Sequence, residues 1–136
     1  MTENQFYWDA NIWLDIYEKR GHNGELTKQL LRKIIMEDDL IFYSDLVVAE
    51  LFKVGYSQMQ ISEILSVAKP GHLKKVPISK KQVAEAMKIA RMWSTARADA
   101  LHAILARDNQ LQMITRDADF QRLKHITRPK LPEDFL

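Results

Sequence analysis

The 136 residues are 46% hydrophobic and 28% charged with four glycines and four prolines, the balance of an ordinary globular chain, which excludes the disordered and fibrous classes. A net charge of +2 is too small to announce a nucleic-acid partner by itself, and the lack of cysteine excludes disulfides, thiolate nucleophiles and cysteine-type zinc sites. At this length roughly two-thirds of the unfolded surface can be buried, so residues 1–136 are read as one domain.

The opening Met1-Thr-Glu-Asn-Gln5 lacks the basic-then-apolar pattern of a signal peptide, and no apolar run approaches the ~18 residues needed to span a bilayer. A cytoplasmic protein with no membrane partner is expected. Phe6-Tyr-Trp8 and Leu40-Ile-Phe-Tyr43 are bulky β-favouring runs read as short buried strands. Between them, Arg20-Gly-His-Asn-Gly24 signals a turn, and Leu26, Leu30, Leu31, Ile34 and Ile35 recur at helical spacing. Val47, Val48, Leu51 and Phe52 predict a helix ending near Gly55. Ile61, Ile64 and Leu65 predict another, ending before Lys69-Pro-Gly71.

Leu73–Ile78 reads as a lesser strand. Ser79 suits the N-cap of a helix carrying Val83, Ala86, Met87, Ala90 and Trp93. A further helix is expected to start at Ser94 or Thr95, bury Ala98, Leu101, Ile104 and Leu105, and end near Asp108-Asn109. Leu111–Thr115 follows as a strand, and the tail around Ile126 is expected to add an edge strand before Pro129 and Pro132. Strands alternating with helices imply an α/β domain whose largely parallel sheet is covered on both faces.

In such a sheet the crevice beyond the strands' carboxyl ends is where ligands bind. Asp9, Asp45 and the pair Asp117 and Asp119 fall at such ends, while Glu50 and Asp99 stand inside apolar helical runs, where an acid is costly without a partner or a cleft. Each lone acid has a plainer role open to it: Asp9, Asp45 and Asp117 as N-caps, Asp99 complementing a helix dipole, Glu50 paired with Lys53. Separate caps, however, need not share one end of the sheet. Converging carboxylates repel unless some protonate or a cation neutralises them, and oxygen-only ligands select hard ions, Mg²⁺ or Mn²⁺. Such an ion acidifies water and offsets charge on phosphoryl oxygens, which points to a metal-dependent nuclease.

Four segments in order, Trp8-Asp-Ala-Asn-Ile-Trp-Leu14, Ser44-Asp-Leu-Val-Val-Ala-Glu-Leu51, Ala98-Asp-Ala-Leu-His-Ala103 and Ile114-Thr-Arg-Asp-Ala-Asp-Phe120, resemble the PIN-domain family, and within it the VapC-like toxin ribonucleases. The resemblance implies a three-layer α/β/α PIN-like fold with a mostly parallel central sheet and an acidic pocket holding one or two Mg²⁺ or Mn²⁺ ions. Asp9, Glu50, Asp99 and Asp117 match the catalytic, metal-holding carboxylates, and Asp119 a more variable metal-site acid. Asn11, Ser44 and Thr115 match supporting polar residues. The implied activity is endoribonucleolytic hydrolysis of single-stranded or looped RNA, leaving a 5′-phosphate and a 3′-hydroxyl. The implied partners are the RNA substrate, a second copy in a homodimer and a small antitoxin protein that inserts an Arg or Lys into the pocket. A PIN-like module that binds RNA or protein without cutting is the alternative. Ala10 stands where many members carry a hydroxyl residue, and Asp45 where they carry an apolar or small one. Asp45 either adds charge to the pocket or caps the helix, and the cap is read first because its spacing to Glu50 turns the two side chains apart on a helix.

The remaining polar and aromatic residues are weighed against that pocket. Among the four histidines there is no pair at ligand spacing, and His102, beside Asp99, is read as a helix-face residue bonded to a pocket acid rather than as a base. Trp8 and Met113 are expected in the core, while Trp13 is open to facing a partner. Lys74-Lys75 and Lys80-Lys81 read as solvated surface charge. Arg116, between Thr115 and Asp117, is placed either to contact RNA phosphate or to pair with a carboxylate, and Arg122, Lys124, His125, Arg128 and Lys130 make the tail locally basic.

Overall fold

A computed structural model describes residues 4–68 and 70–136, so the expected turn residue Lys69 and the opening Met1–Glu3 lie outside the described residues. The strands are β1 (Gln5–Trp8), β2 (Leu40–Tyr43), β3 (Leu73–Lys75) and β4 (Gln112–Ile114). The helices are α1 (Ala10–Tyr17), α2 (Gly21–Met36), α3 (Asp45–Val54), α4 (Gln58–Ser66), α5 (Lys80–Trp93) and α6 (Arg97–Asp108). The sheet order is β3-β2-β1-β4 and every pairing is parallel, because each strand is joined to the next through helices rather than a hairpin. Among the described residues no helix is long and apolar enough to cross a membrane.

Strand alternation decides what each face of the sheet receives. On β1, Trp8 packs against Trp13 of α1 at 4.9 Å between centroids with the rings tilted, and Phe6 meets Phe135 edge-on at 5.2 Å. Tyr7 points the other way, to His102 of α6. Helices therefore cover both faces, giving three layers around a continuous core. Trp13 is fully buried, so the idea that it faces a partner is overturned: its ring closes the α1 side of that core.

Several helix ends follow from local chemistry. Ser57 and Ser79 form capping boxes with Gln60 and Gln82, satisfying amides that have no partner within the helix. α3 stops at Gly55, whose φ of +119° suits a residue without Cβ. α2 begins at Gly21, so the expected Arg20–Gly24 turn is its first helical turn. A Cβ at Gly24 would meet the Asp15 carbonyl oxygen at 2.6 Å, so glycine here permits α1 and α2 to approach closely. α5 and α6 pack through small side chains, Ala86 and Ala90 against Ala100 and Ile104, with Arg107 forking onto Glu85 at 2.8 and 2.9 Å.

Four further expectations are corrected. Ser94 is the left-handed C-cap of α5, and α6 starts after Ala96, so neither Ser94 nor Thr95 caps α6. β3 stops at Lys75 rather than Ile78. The tail makes one parallel bridge, Ile114 to Lys130, instead of a strand at Ile126: only Lys130, just after Pro129, both donates to Met113 and accepts from Thr115. Trp93, expected among the apolar residues of α5, is 45% exposed.

Candidate metal and nucleic-acid site

A parallel sheet collects the carboxyl ends of its strands along one edge, and the acids picked from sequence meet there. Asp9 follows β1, and Thr115 follows β4. The pairing Trp8↔Ile114 makes them neighbours one step beyond the ladder. The Thr115 hydroxyl donates to Asp9 Oδ2 at 2.5 Å and the Ile12 amide donates to Asp9 Oδ1 at 3.1 Å. Asp9 is thus both the N-cap of α1 and part of the pocket wall, and the two roles coexist because the helix starts at the pocket floor. Burial pushes its carboxyl up to about 6, opposed chiefly by the Thr115 hydrogen bond.

α3 contributes a face at helical spacing, Leu46, Ala49, Glu50 and Lys53, while Val47 and Leu51 turn into the core. α6 contributes Ala98, Asp99 and His102. With Ala10, Asn11 and Leu14 of α1 and with Asp117 and Phe120 beyond β4, these line an open cavity of about 540 Å³. Asp9, Glu50, Asp99 and Asp117 all reach it. Asp99, Asp117 and Asp119 each offer a carboxylate oxygen within 4.8 Å of the others. Burial, then the charge of Asp117, pushes the Asp99 carboxyl up to about 6. Asp117 also caps the 3₁₀ turn 118–123 by accepting from the Asp119 amide at 2.9 Å, and its own amide is held by Thr115 Oγ1 at 3.1 Å.

Glu50 is held from behind. His102 Nε2 lies 2.7 Å from Glu50 Oε1, His102 Nδ1 lies 2.7 Å from the Tyr7 hydroxyl, and that hydroxyl lies 2.7 Å from Ser44 Oγ. With Glu50 a carboxylate and therefore an acceptor only, a consistent chain runs from Ser44 through Tyr7 and His102 to Glu50, each donating to the next. Burial raises the Tyr7 hydroxyl well above the ordinary phenol range and keeps its proton available for this chain. Ser44 thus supports the pocket through the sheet. Asn11 stands on the cavity rim and accepts from Arg20 at 3.4 Å.

The structure does not bring Arg116 to the cavity. Its Nε donates to Asp15 at 2.9 Å, its Nη1 forks onto Glu133 at 2.9 and 3.0 Å, and its Nη2 reaches Asn23 and Thr27. Alternation along the chain after β4 sends Thr115 to the pocket and Arg116 to the opposite side, so contact with RNA is replaced by an internal ion pair. Asp45 is the first residue of α3 rather than its N-cap and pairs with Lys75 at 2.5 Å. Sequence reasoning missed Tyr7, because its partners are 37 and 95 residues away, and it named Lys53 only as a partner for Glu50, whereas Lys53 lines the cavity beside it.

The donor set fits a hard divalent cation: carboxylate oxygens, no sulfur, and like charges close enough to need neutralising. The family model described as PIN domain matches residues 6–126. The chain is also similar in structure to a toxin–antitoxin complex from Klebsiella pneumoniae (21% identity, 93% of this chain and 97% of that one, TM-score 0.65). Two others are VapBC2 from Rickettsia felis bound to a DNA fragment from its promoter (20%, 93% and 96%, 0.66) and FitAcB from Neisseria gonorrhoeae (22%, 93% and 97%, 0.65). At these identities the likeness shows the fold. A search among curated proteins finds no match.

Proposed function

The chain belongs to the PIN-domain family, and from that premise we propose that it is a Mg²⁺- or Mn²⁺-dependent endoribonuclease, the toxin of a toxin–antitoxin pair. The observation that carries this reading is the convergence of Asp9, Glu50, Asp99 and Asp117 in one cavity that, among the described residues, no arginine and a single lysine line. Asp99, Asp117 and Asp119, whose carboxylates crowd together, would hold the ion along with Asp9 and Glu50 on the same wall. Bound there, the ion supplies Lewis-acid stabilisation of a phosphodiester and acidifies water. The chain's own part is to fix the acids: Thr115 and the Ile12 amide orient Asp9, and His102 orients Glu50. Lys53, on the rim, offers a cation to the substrate phosphate.

The same cavity supports the partner reading. Leu14, Leu46, Ala49 and Val54 line it beside the acids, a combination suited to an antitoxin segment with apolar side chains and one inserted Arg or Lys. The similar structure named as a toxin–antitoxin complex agrees with that partner. Val83 and Met87, exposed on α5, supply apolar surface for a second copy in a homodimer.

The test is cleavage of labelled single-stranded RNA by the wild type, Asp9→Asn and Asp99→Asn in EDTA, Mg²⁺ and Mn²⁺. Expected is cleavage with either ion that is lost in EDTA and in both variants. Cleavage that survives chelation and both substitutions would overturn the metal mechanism, and binding with no cleavage in any ion would leave a regulatory RNA-binding module instead.

A further inference from the structure

Because Arg116 is held by Asp15 and Glu133, a phosphate backbone approaching the acidic cavity must find cations elsewhere. We propose that the surface formed by Trp93, Ser94, Gln121, Arg122, Lys124 and His125 is a subsite for single-stranded RNA, stacking a base on Trp93 and seating phosphates on Arg122 and Lys124; this rests on the ribonuclease reading.

Three observations converge on this surface. Trp93 is 45% exposed at the end of α5, whereas Trp8 and Trp13 are fully buried. The His125 ring lies on it at 4.2 Å between centroids and 36° between planes, so a stacking platform is already assembled. Beside it Arg122 is steadied by the Ser94 carbonyl at 3.3 Å, and among the described residues neither Arg122 nor Lys124 is in an ion pair and no acid lines the surface.

Its position relative to the acids is fixed by a shared element. Asp119 and Arg122 stand three residues apart in the 3₁₀ turn 118–123, where side chains eclipse every third residue, so Arg122 lies about 6 Å along the turn axis from an acid of the metal cluster. Phe120 of the same turn lines the acidic cavity. A strand cut at the acids therefore passes directly onto the platform. A second copy fits the same surface poorly, since a two-fold contact would set Arg122 and Lys124 against their own equivalents. Stacking tolerates any base, while the two cations confer salt dependence.

Binding of a short fluorescein-labelled, mixed-sequence oligoribonucleotide to the full chain in EDTA isolates the subsite from metal chemistry. Anisotropy reads affinity, and intrinsic fluorescence reads Trp93, since the other two indoles are buried. Expected are saturable quenching in the wild type and, for Trp93→Ala, loss of that quenching with affinity reduced about 5- to 100-fold. Trp93→Phe should retain most of the affinity, and Arg122→Gln should reduce the slope of log affinity against log salt by about one. If Trp93→Ala melts early, His125→Ala serves as the second platform variant. Wild-type affinity in Trp93→Ala and His125→Ala, or a dimer lost in Trp93→Ala with oligoribonucleotide binding unchanged, overturns the subsite. Quenching without cleavage in Mg²⁺ or Mn²⁺ keeps the subsite and removes the nuclease; cleavage with unchanged KM in Trp93→Ala and Arg122→Gln does the reverse.

Discussion

Two groups of acids flank the end of β4, and the chain treats them oppositely. On one side Asp15 and Glu133 close around the Arg116 guanidinium, Asp15 with a nearly buried side chain and a second bond from Thr27 at 3.1 Å. On the other, Asp99, Asp117 and Asp119 crowd together, with Asp9 and Glu50 along the same wall and, among the described residues, no guanidinium lining it. The first group carries its own counter-charge and is finished as a piece of architecture. The second is left in need of a cation from outside, which is the usual condition of a site built for function rather than for stability. Consecutive residues supply the two outcomes: Thr115 turns into the open group and Arg116 into the closed one.

The contrast is broken most severely by Arg116→Ala. It leaves the buried Asp15 with only Arg20, at 3.6 Å, and the Thr27 hydroxyl, and it strips Glu133 of its partner, so urea unfolding should show a loss of about 2–4 kcal/mol. Asp99→Asn should do the opposite to the open group. Metal-dependent RNA cleavage falls by about 100-fold or more, while the metal-free chain gains roughly 1 kcal/mol at pH 7.5, an amount reduced by solvent screening, because a half-buried charge and its repulsion by Asp117 are gone. Loss of stability in Asp99→Asn would show that the open group is architectural after all.

His102→Leu sharpens the difference between holding an acid and being one. Calorimetric Mn²⁺ affinity should fall about 10- to 100-fold as Glu50 loses its orienting partner, and His102→Gln, which can still donate to Glu50, should restore most of it.

The acidity of the open group gives a pH signature. Asp9 and Asp99 are raised to about 6 in the folded chain from an ordinary 3.8, so the folded state binds protons more tightly than the unfolded one between those values. Their contribution is present below about pH 4 and is lost as pH rises through 6. The metal-free chain should therefore be less stable at pH 7.5 than at pH 5 by about 1–3 kcal/mol, other groups equal, and saturating Mg²⁺ should recover the loss. The smallest effect is expected at Asp45→Ala. Its pair with Lys75 is exposed, and thermal melting should show a change of less than about 0.5 kcal/mol with cleavage unaltered.

Much of the molecule was legible in order of residues alone. The bulky runs before Asp9 and Ser44 form strands, the leucine and isoleucine periodicities form helices, and Ser79 caps where its side chain predicts. The acids could be named because strand ends and apolar helices make a carboxylate conspicuous. Helix starts were harder: Gly21 and His22 look like a turn, yet they form the first turn of α2, where the missing Cβ of Gly24 lets α1 approach closely. Exposure was harder still, as Trp13 and Trp93 share a residue type and differ completely in burial.

The sequence by itself determined the elements, their α/β alternation and the set of carboxylates, because these rest on local spacing and on the cost of placing charge among apolar side chains. Tertiary structure alone decided how each was used. Parallel register set Thr115 against Asp9, strand alternation sent Tyr7 to His102 and thence to Glu50, and the turn after β4 diverted Arg116 to Asp15. Those choices depend on partners up to 106 residues apart, and only a folded chain brings such distant groups within hydrogen-bond reach.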